Sequence, residues 1–294
     1  MDTPGKELGA FLASRRAKIT PKEAGLPVFG GNRRVPGLRR EELAMLAGVS
    51  VEYLTRVERG NAAGVSDGVL EALARVLQLD EAETSHLFDL ARATRGGTRQ
   101  PRRRAQPRVR PSIQRIIDSM TGTPAFVRNG RLDIVAVNPL GQALYAPMFD
   151  DSARPENLAR FCFLHPRAAE LYPDWRGAAD TSVALLRTEA GRDPHNKALS
   201  ALIGELSTRS HEFAVRWARH DVRLHSTGVK RFSHPVVGEL ALAFDAMELP
   251  AEPGLTLTAY SAEPGTPDEE KLRLLASWAA TPAQPAEETA TRST

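Results

Sequence analysis

Ser50, Val51, Glu52, Thr55, Arg56 and Arg59 fall on the outward side of one short helical stretch, and their types suit the edges of base pairs. An arginine pairs two donors with guanine, a carboxylate accepts from a cytosine amino group, and a valine packs on a thymine methyl. Arg56, Glu52 and Val51 would fill those three roles. Arg39 and Arg40 stand at the start of the preceding helix, where they would hold backbone phosphates. Arg33 and Arg34, at the tip of a Pro- and Gly-rich loop, extend the same positive surface. The chemistry on offer is recognition of double-stranded DNA, with phosphate contacts setting register and base contacts setting sequence.

Further along, a second group of side chains is suited to enclosing a small molecule. Phe126, Phe161, Phe163, Trp175, Phe213, Trp217, Phe232 and Phe244 would supply apolar walls, and Arg160, His165, Tyr172, His220 and Lys230 would hold a polar or anionic head. Plain core packing accounts for each aromatic as well, and a solvated face for each charged residue. Two enzyme-like strings lack the context their chemistry needs. Gly64-Val65-Ser66-Asp67-Gly68 has the spacing of a nucleophile elbow, but no buried strand precedes it and Ser66 or Asp67 reads as a helix cap. His211-Glu212 opens a zinc-protease pattern whose second histidine is absent, because position 215 is Val. His220, His225 and His234 are too loosely spaced for a metal set. No catalytic residue, metal site or cofactor is expected.

The elements that position the first group are legible in the pattern. Leu8, Phe11 and Leu12 mark an amphipathic helix over Gly5 to Lys18, and Leu38 to Gly60 holds two short helices joined at Ala47-Gly48-Val49. Gly48 supplies the left-handed backbone of a tight turn, Val49 plugs the joint, and Ser50 caps the next helix. Helices over Val69 to Leu77 and Glu81 to Ala93 complete a five-helix, all-α domain spanning residues 1–93. A two-helix unit with this turn is a helix-turn-helix, whose second helix fits the major groove.

Residues 94–111 carry seven arginines and no acid and read as a basic linker, in which Arg102, Arg103 and Arg104 either track phosphates or keep the segment soluble. Residues 112–280 read as a mixed domain. A helix from Ser112 to Met120 leads to strands flanking Asn129-Gly130, a hairpin turn pair. Helices are expected over Pro139 to Tyr145, Pro173 to Gly191, Asn196 to Thr208 and His211 to Asp221. Strands over Val229 to His234, Glu239 to Glu248 and Leu255 to Ala262 precede a closing helix over Pro267 to Ala279. The fold class is therefore α+β, with an antiparallel sheet of about five strands and flanking helices. Residues 281–294 read as a disordered tail.

Length and charge agree with this division. The 294 residues suffice for two domains, and the +3 net charge divides into +7 over residues 1–111 and −4 over the remainder. Cys162, the single cysteine, excludes a disulfide framework and reads as a small buried hydrophobe in a reducing compartment. The longest charge-free stretch, Ile134 to Phe149, is broken by Asn138, Pro139 and Gly141, so no membrane span is expected. The expected location is the cytoplasm, in association with the nucleoid.

The block LRREELAMLAGVSVEYLTRVERGN closely resembles an XRE/Cro-type helix-turn-helix, and VPGLRREELAMLAGVS with LDEAETSHLFDLAR resembles the actinobacterial MmyB-like regulators. TGTPAFVRNGRLDIVAVNPLGQALY, ELYPDWRGAADTSVALLR, FAVRWARHDVR, GVKRFSHPVVGELALAFDAMEL and YSAEPGTPDEEKLRLLASW are similar to that family's C-terminal ligand-binding domain. The resemblance implies a PAS-like second domain and a transcription regulator responsive to a fatty-acid-like or other apolar effector. A homodimer reading two operator half-sites about one helical turn apart is the expected assembly. A C-terminal domain acting as a dimerisation or protein-interaction module, without ligand, is the alternative. One departure from the family is Val65-Ser66, where relatives carry Pro-Ser at the start of the fourth helix.

Overall fold

The computed structural model describes residues 4–27, 35–95, 109–150, 156–222 and 226–280. The N-terminal part contains α1 (Pro4–Lys18), α2 (Arg40–Leu46), α3 (Val51–Glu58), α4 (Asp67–Val76) and α5 (Glu81–Thr94). Their apolar stripes meet in one core built on Leu8, Phe11, Leu12, Leu43, Leu54 and Leu70. Gly48 turns at φ 68° between α2 and α3, and the Ser50 hydroxyl accepts from the Tyr53 amide at 3.0 Å, capping α3 as expected. Ser66 caps α4 through the Val69 amide, and Val65 beside it is buried. The Val-Ser pair thus supplies the helix start that Pro-Ser would.

Two glycines let α1 cross the end of α3 at backbone distance. A Cβ on Gly5 would lie 1.9 Å from the Gly60 carbonyl oxygen, and one on Gly9 would lie 2.0 Å from that of Glu58. Glu58, almost wholly buried, is held by Arg16 at 2.8 Å and by Arg40.

The C-terminal part opens with α6 (Pro111–Asp118), then β1 (Ala125–Asn129), β2 (Ile134–Val137), α7 (Pro139–Leu144) and α8 (Ala146–Phe149). It continues through α9 (Leu158–Leu164), α10 (Ala168–Leu171), α11 (Trp175–Arg192), α12 (Lys197–Arg209) and α13 (His211–Trp217). It ends with β3 (Thr227–His234), β4 (Gly238–Glu248), β5 (Leu255–Ser261) and α14 (Pro267–Ala280). The five strands form one antiparallel sheet in the order β2-β1-β5-β4-β3. Ala125, Val127, Leu255 and Leu257 face α6 on one side. Phe126, Phe244, Tyr260 and Phe232 face the opposite side, toward α7, α10 and α14. Alternation along each strand separates the two sets.

The expected helices and strands are present with shifted ends, and three short helices, α8, α9 and α10, were not foreseen. The turn after β1 also differs from the two-residue hairpin expected at Asn129-Gly130. Neither residue is left-handed; Leu132 is, at φ 67°. The Asn129 side chain accepts from the Arg131 and Asp133 amides at 2.9 and 3.1 Å, and Asn157 ties Asp133 from across the loop at 2.7 Å. An asparagine-centred polar cluster therefore closes the connection in place of a primed turn.

The two parts are packed together. Val222, just past α13, is buried in the N-terminal core. Arg187 of α11 is fully buried, sits 4.0 Å from the Trp217 ring centre, and reaches Glu7 of α1 at 3.2 Å and His220 Nδ1 at 2.9 Å. Arg15 of α1 meets Glu83 at 2.8 Å and donates to the His220 carbonyl at 2.6 Å. Gly191 of α11 lies against His86 of α5; a Cβ there would be 2.7 Å from the imidazole.

Candidate functional site

Helix α3 buries Leu54 and Val57 and turns its other side outward. Ser50, Glu52, Arg56 and Arg59 are exposed, and Val51 and Thr55 are partly so. The Arg56 guanidinium lies 4.9 Å from the Tyr53 ring centre, which restrains a long side chain on the helix surface. Tyr53 itself was not singled out in the sequence; its spacing from Arg56 along the helix is the signal that could have found it. Arg39 and Arg40 are exposed at the start of α2, and the Arg40 guanidinium is shared with Glu58, which leaves it half exposed. Glu58 thus offsets part of the charge expected for phosphate contact at Arg40. Arg33, Arg34 and the linker arginines from Arg99 to Arg108 lie outside the described residues, while Arg95 ends α5 and Arg110 pairs with Glu252. The arrangement presents two donors, one acidic acceptor and small side chains on a capped helix that packs on its partner, which is what base-edge recognition requires.

The second site is a cavity of about 390 Å³ between the sheet and α11, within the roughly 300–1,000 Å³ that small-molecule sites occupy. Four of the expected ligand residues line it: Phe126, Tyr172, Lys230 and Phe244. The other nine are placed elsewhere. Phe161 and Phe232 belong to the adjoining core, with the Phe161 ring stacked on His165 at 5.2 Å. The His165 ring is further fixed by the Arg167 amide at 3.2 Å. Arg160 is paired with Glu205 at 2.9 Å. Trp175 donates to the Cys162 carbonyl at 2.8 Å and lies under Arg216. Phe163, Phe213 and Trp217 pack among α9, α12 and α13, the last two rings stacked at 5.7 Å. His220, left-handed at φ 56°, serves the contact between the two parts of the chain. The aromatic residues away from the cavity follow the core-packing alternative that sequence alone left open.

Sequence reasoning missed Tyr145, Tyr260, Cys162, Arg128 and the α11 residues Ala178 and Ser182, all of which line the cavity. The signal for the strand residues was alternation: Arg128 shares a strand face with Phe126, and Tyr260 is paired in register with Phe244. The Tyr145 and Tyr260 hydroxyls meet at 2.6 Å, and burial pushes both phenols well above their ordinary range. Lys230 donates to the Tyr145 hydroxyl at 3.2 Å and lies 4.4 Å from the Tyr172 ring centre. Burial lowers the Lys230 ammonium to about 8 and pushes the Cys162 thiol up to about 12, so the thiol stays protonated. The cavity wall is more polar than expected, with threonine, serine, tyrosine and charged groups among its apolar rings. Among the described residues no group of three or more His, Cys, Asp or Glu is disposed to hold a metal ion. Among the same residues no helix is long and apolar enough to cross a membrane.

Comparison with known families gives two matches. Residues 109–275, more than half of the chain, match the MmyB-like transcription regulator ligand binding domain, and residues 7–87 match a helix-turn-helix domain. No curated protein matches the chain. Neither matched family is an enzyme family.

Proposed function

The chain belongs to the MmyB-like transcription regulators, and from that premise we propose that it binds an operator as a homodimer and that a small, mostly apolar, fatty-acid-like molecule in the cavity alters that binding. That it is a DNA-binding transcription regulator with a ligand-binding domain follows from the two family matches. The observation that carries the DNA-reading assignment is the exposure of Glu52, Arg56 and Arg59 on a capped helix whose opposite side is locked into a core. In this reading Arg56 and Glu52 address bases, Val51 a thymine methyl, Ser50 and Thr55 either, and Arg39, Arg40 and Arg59 phosphates, with Arg33 and Arg34 adding charge. A cytoplasmic, nucleoid-associated protein without a bound cofactor fits that role.

Helix α11 supplies the link between the two functions. Gly177, Ala178, Thr181, Ser182 and Leu185 in its first half line the cavity, while Arg187, Gly191 and Arg192 in its second half meet α1 and α5. A ligand that moves the first half acts on the second, because one helix is a rigid body over this length. The competing reading, a C-terminal domain that only dimerises or binds another protein, draws on the exposed Leu274 and Trp278 of α14. Mass spectrometry of an organic extract of the denatured, purified protein separates the two. A stoichiometric small molecule, with a ligand-dependent melting shift, supports sensing. Its repeated absence, with no shift from any acid or lipid added, favours the interaction module.

A further inference from the structure

Arg128, Lys230 and Arg231 line the cavity without a carboxylate partner among the described residues; Arg231 is exposed, which leaves two cations that burial desolvates. Lys230 is the first. Its ammonium is ringed by Tyr172, Tyr145 and Phe232 at 4.4, 5.4 and 5.5 Å, and its hydrogen bond is to the Tyr145 hydroxyl. The group that raises its pKa is the Cys162 thiol, which is itself neutral. No acidic side chain among the described residues lies within 4 Å of it.

Arg128 is the second. A β-bulge between Val127 and Arg128 breaks the β1–β2 register at that point, while the β1–β5 pairing continues through it and keeps Arg128 on the face of Phe126. The Arg128 guanidinium has no hydrogen bond and no ion pair within 4 Å among the described residues. Glu189 and Glu248 act on it from farther away, and burial outweighs them, lowering its pKa. The acid that does line the cavity, Asp174, caps α11 through the Gly177 amide at 2.9 Å.

These two cations stand on the outer two of the four strands, β1, β5, β4 and β3, that floor the cavity. In register Arg128 stands opposite Thr256 and Thr256 opposite Glu248, whereas Lys230 stands opposite Leu242. Three strand spacings of about 4.8 Å across and six residues of about 3.3 Å along therefore separate the two backbones by roughly 25 Å, and both side chains are long enough to close part of that gap. Between them lie Phe126, Phe244 and Tyr260. Desolvated, unpaired cations are costly, and a fold that keeps two of them on one cavity wall is matched to a ligand that neutralises both.

We propose that the ligand of this cavity is a dianion: two acidic groups joined by an apolar body, one acid at Lys230 and the Tyr145 hydroxyl, the other at Arg128. The proposal rests on the reading of the cavity as the effector site and narrows its occupant from apolar acids in general to those acidic at both ends. The test is calorimetric titration of the full chain with a series of α,ω-alkanedioic acids and with alkanoic acids of matching length. The diacid of best-fitting length binds at least about tenfold more tightly than its monoacid. Arg128→Met brings the diacid down to the monoacid level and leaves the monoacid unchanged, and Lys230→Met weakens both. Circular dichroism establishes folding, and if a Met variant unfolds, Arg128→Gln and Lys230→Gln replace the pair. Equal binding of diacid and monoacid by the unaltered protein overturns the dianion while leaving the cavity as an acid site. So does a diacid affinity indifferent to Arg128. Failure of every acid to bind overturns the cavity reading along with it.

Discussion

Arg56 shows how much a residue's role depends on what holds it. Its guanidinium is exposed on α3 and braced over Tyr53, so in the proposed reading it would meet DNA at small entropic cost. Arg56→Ala is expected to weaken operator binding by about 1–3 kcal/mol while changing affinity for scrambled DNA much less. Equal losses on both in a fluorescence-anisotropy titration would reassign Arg56 to phosphate contact. Lys230 gives a pH signature. Its folded pKa of about 8 lies below its ordinary 10.5, so the burial cost of its charge is fully present below pH 8. Between 8 and 10.5 the unfolded chain binds the extra proton, and stability attributable to this residue rises with pH. Denaturant unfolding of the unaltered protein and Lys230→Met across that range should show the difference moving in favour of the unaltered protein; a flat difference would refute the desolvated ammonium. The residues of α3 were legible because helix-turn-helix spacing assigns each position a side. The cavity residues were legible only in part, because an aromatic in a core and an aromatic in a cavity wall are the same residue until the fold places them. Trp217 and Phe213 went to a core, and Tyr145 and Tyr260 to the cavity.

At the scale of elements, the sequence signals with a local cause were the ones the structure reproduced. Gly48 turns left-handed and Ser50 caps, since both effects act within a few residues. The turn after β1 is closed instead by the Asn129 side chain on the Arg131 and Asp133 amides, with Asn157, distant in sequence, tying Asp133, so the Asn-Gly pair misled. The crossing of α1 over α3 is another contact between distant residues, and it gives a test. Gly9→Ala places a methyl group 2.0 Å from a backbone oxygen, where no side-chain rotation relieves it. Overpacking of this kind costs about 1–3 kcal/mol or more. The variant should lose melting temperature and operator affinity together, although Gly9 is on none of the DNA-facing positions. Retained stability in thermal unfolding would mean that α1 is not docked on α3 in this way. Ser50→Ala should cost about 1 kcal/mol through the lost cap, read by the same melting experiment; no loss would remove the cap from the account.

Across the whole molecule, the contact between α11 and the N-terminal helices is what makes one protein of a DNA reader and a ligand site. It is built from polar groups that are poor at tolerating change: Arg187 is buried with Glu7 and His220, and burial with the neighbouring Arg187 pushes His86 down to about 3, keeping its ring neutral. Gly191→Ala drives a methyl group into that ring. The variant should still bind operator and still bind acid, with the acid no longer altering operator affinity; undiminished coupling in a paired titration would place the communication elsewhere. None of this contact was visible in the sequence, because docking of two domains leaves no periodic trace.

The central claim is that the outward side of α3 selects a DNA sequence. Purified full-length protein, verified as folded, should be mixed with sheared genomic DNA at low ionic strength, and the retained fragments sequenced. The account predicts enrichment of a small set of fragments sharing a two-fold related motif, lost when Arg56 and Glu52 are both replaced by Ala. Retention of no fragment above bulk DNA, or the same motif recovered with the doubly substituted protein, would contradict it.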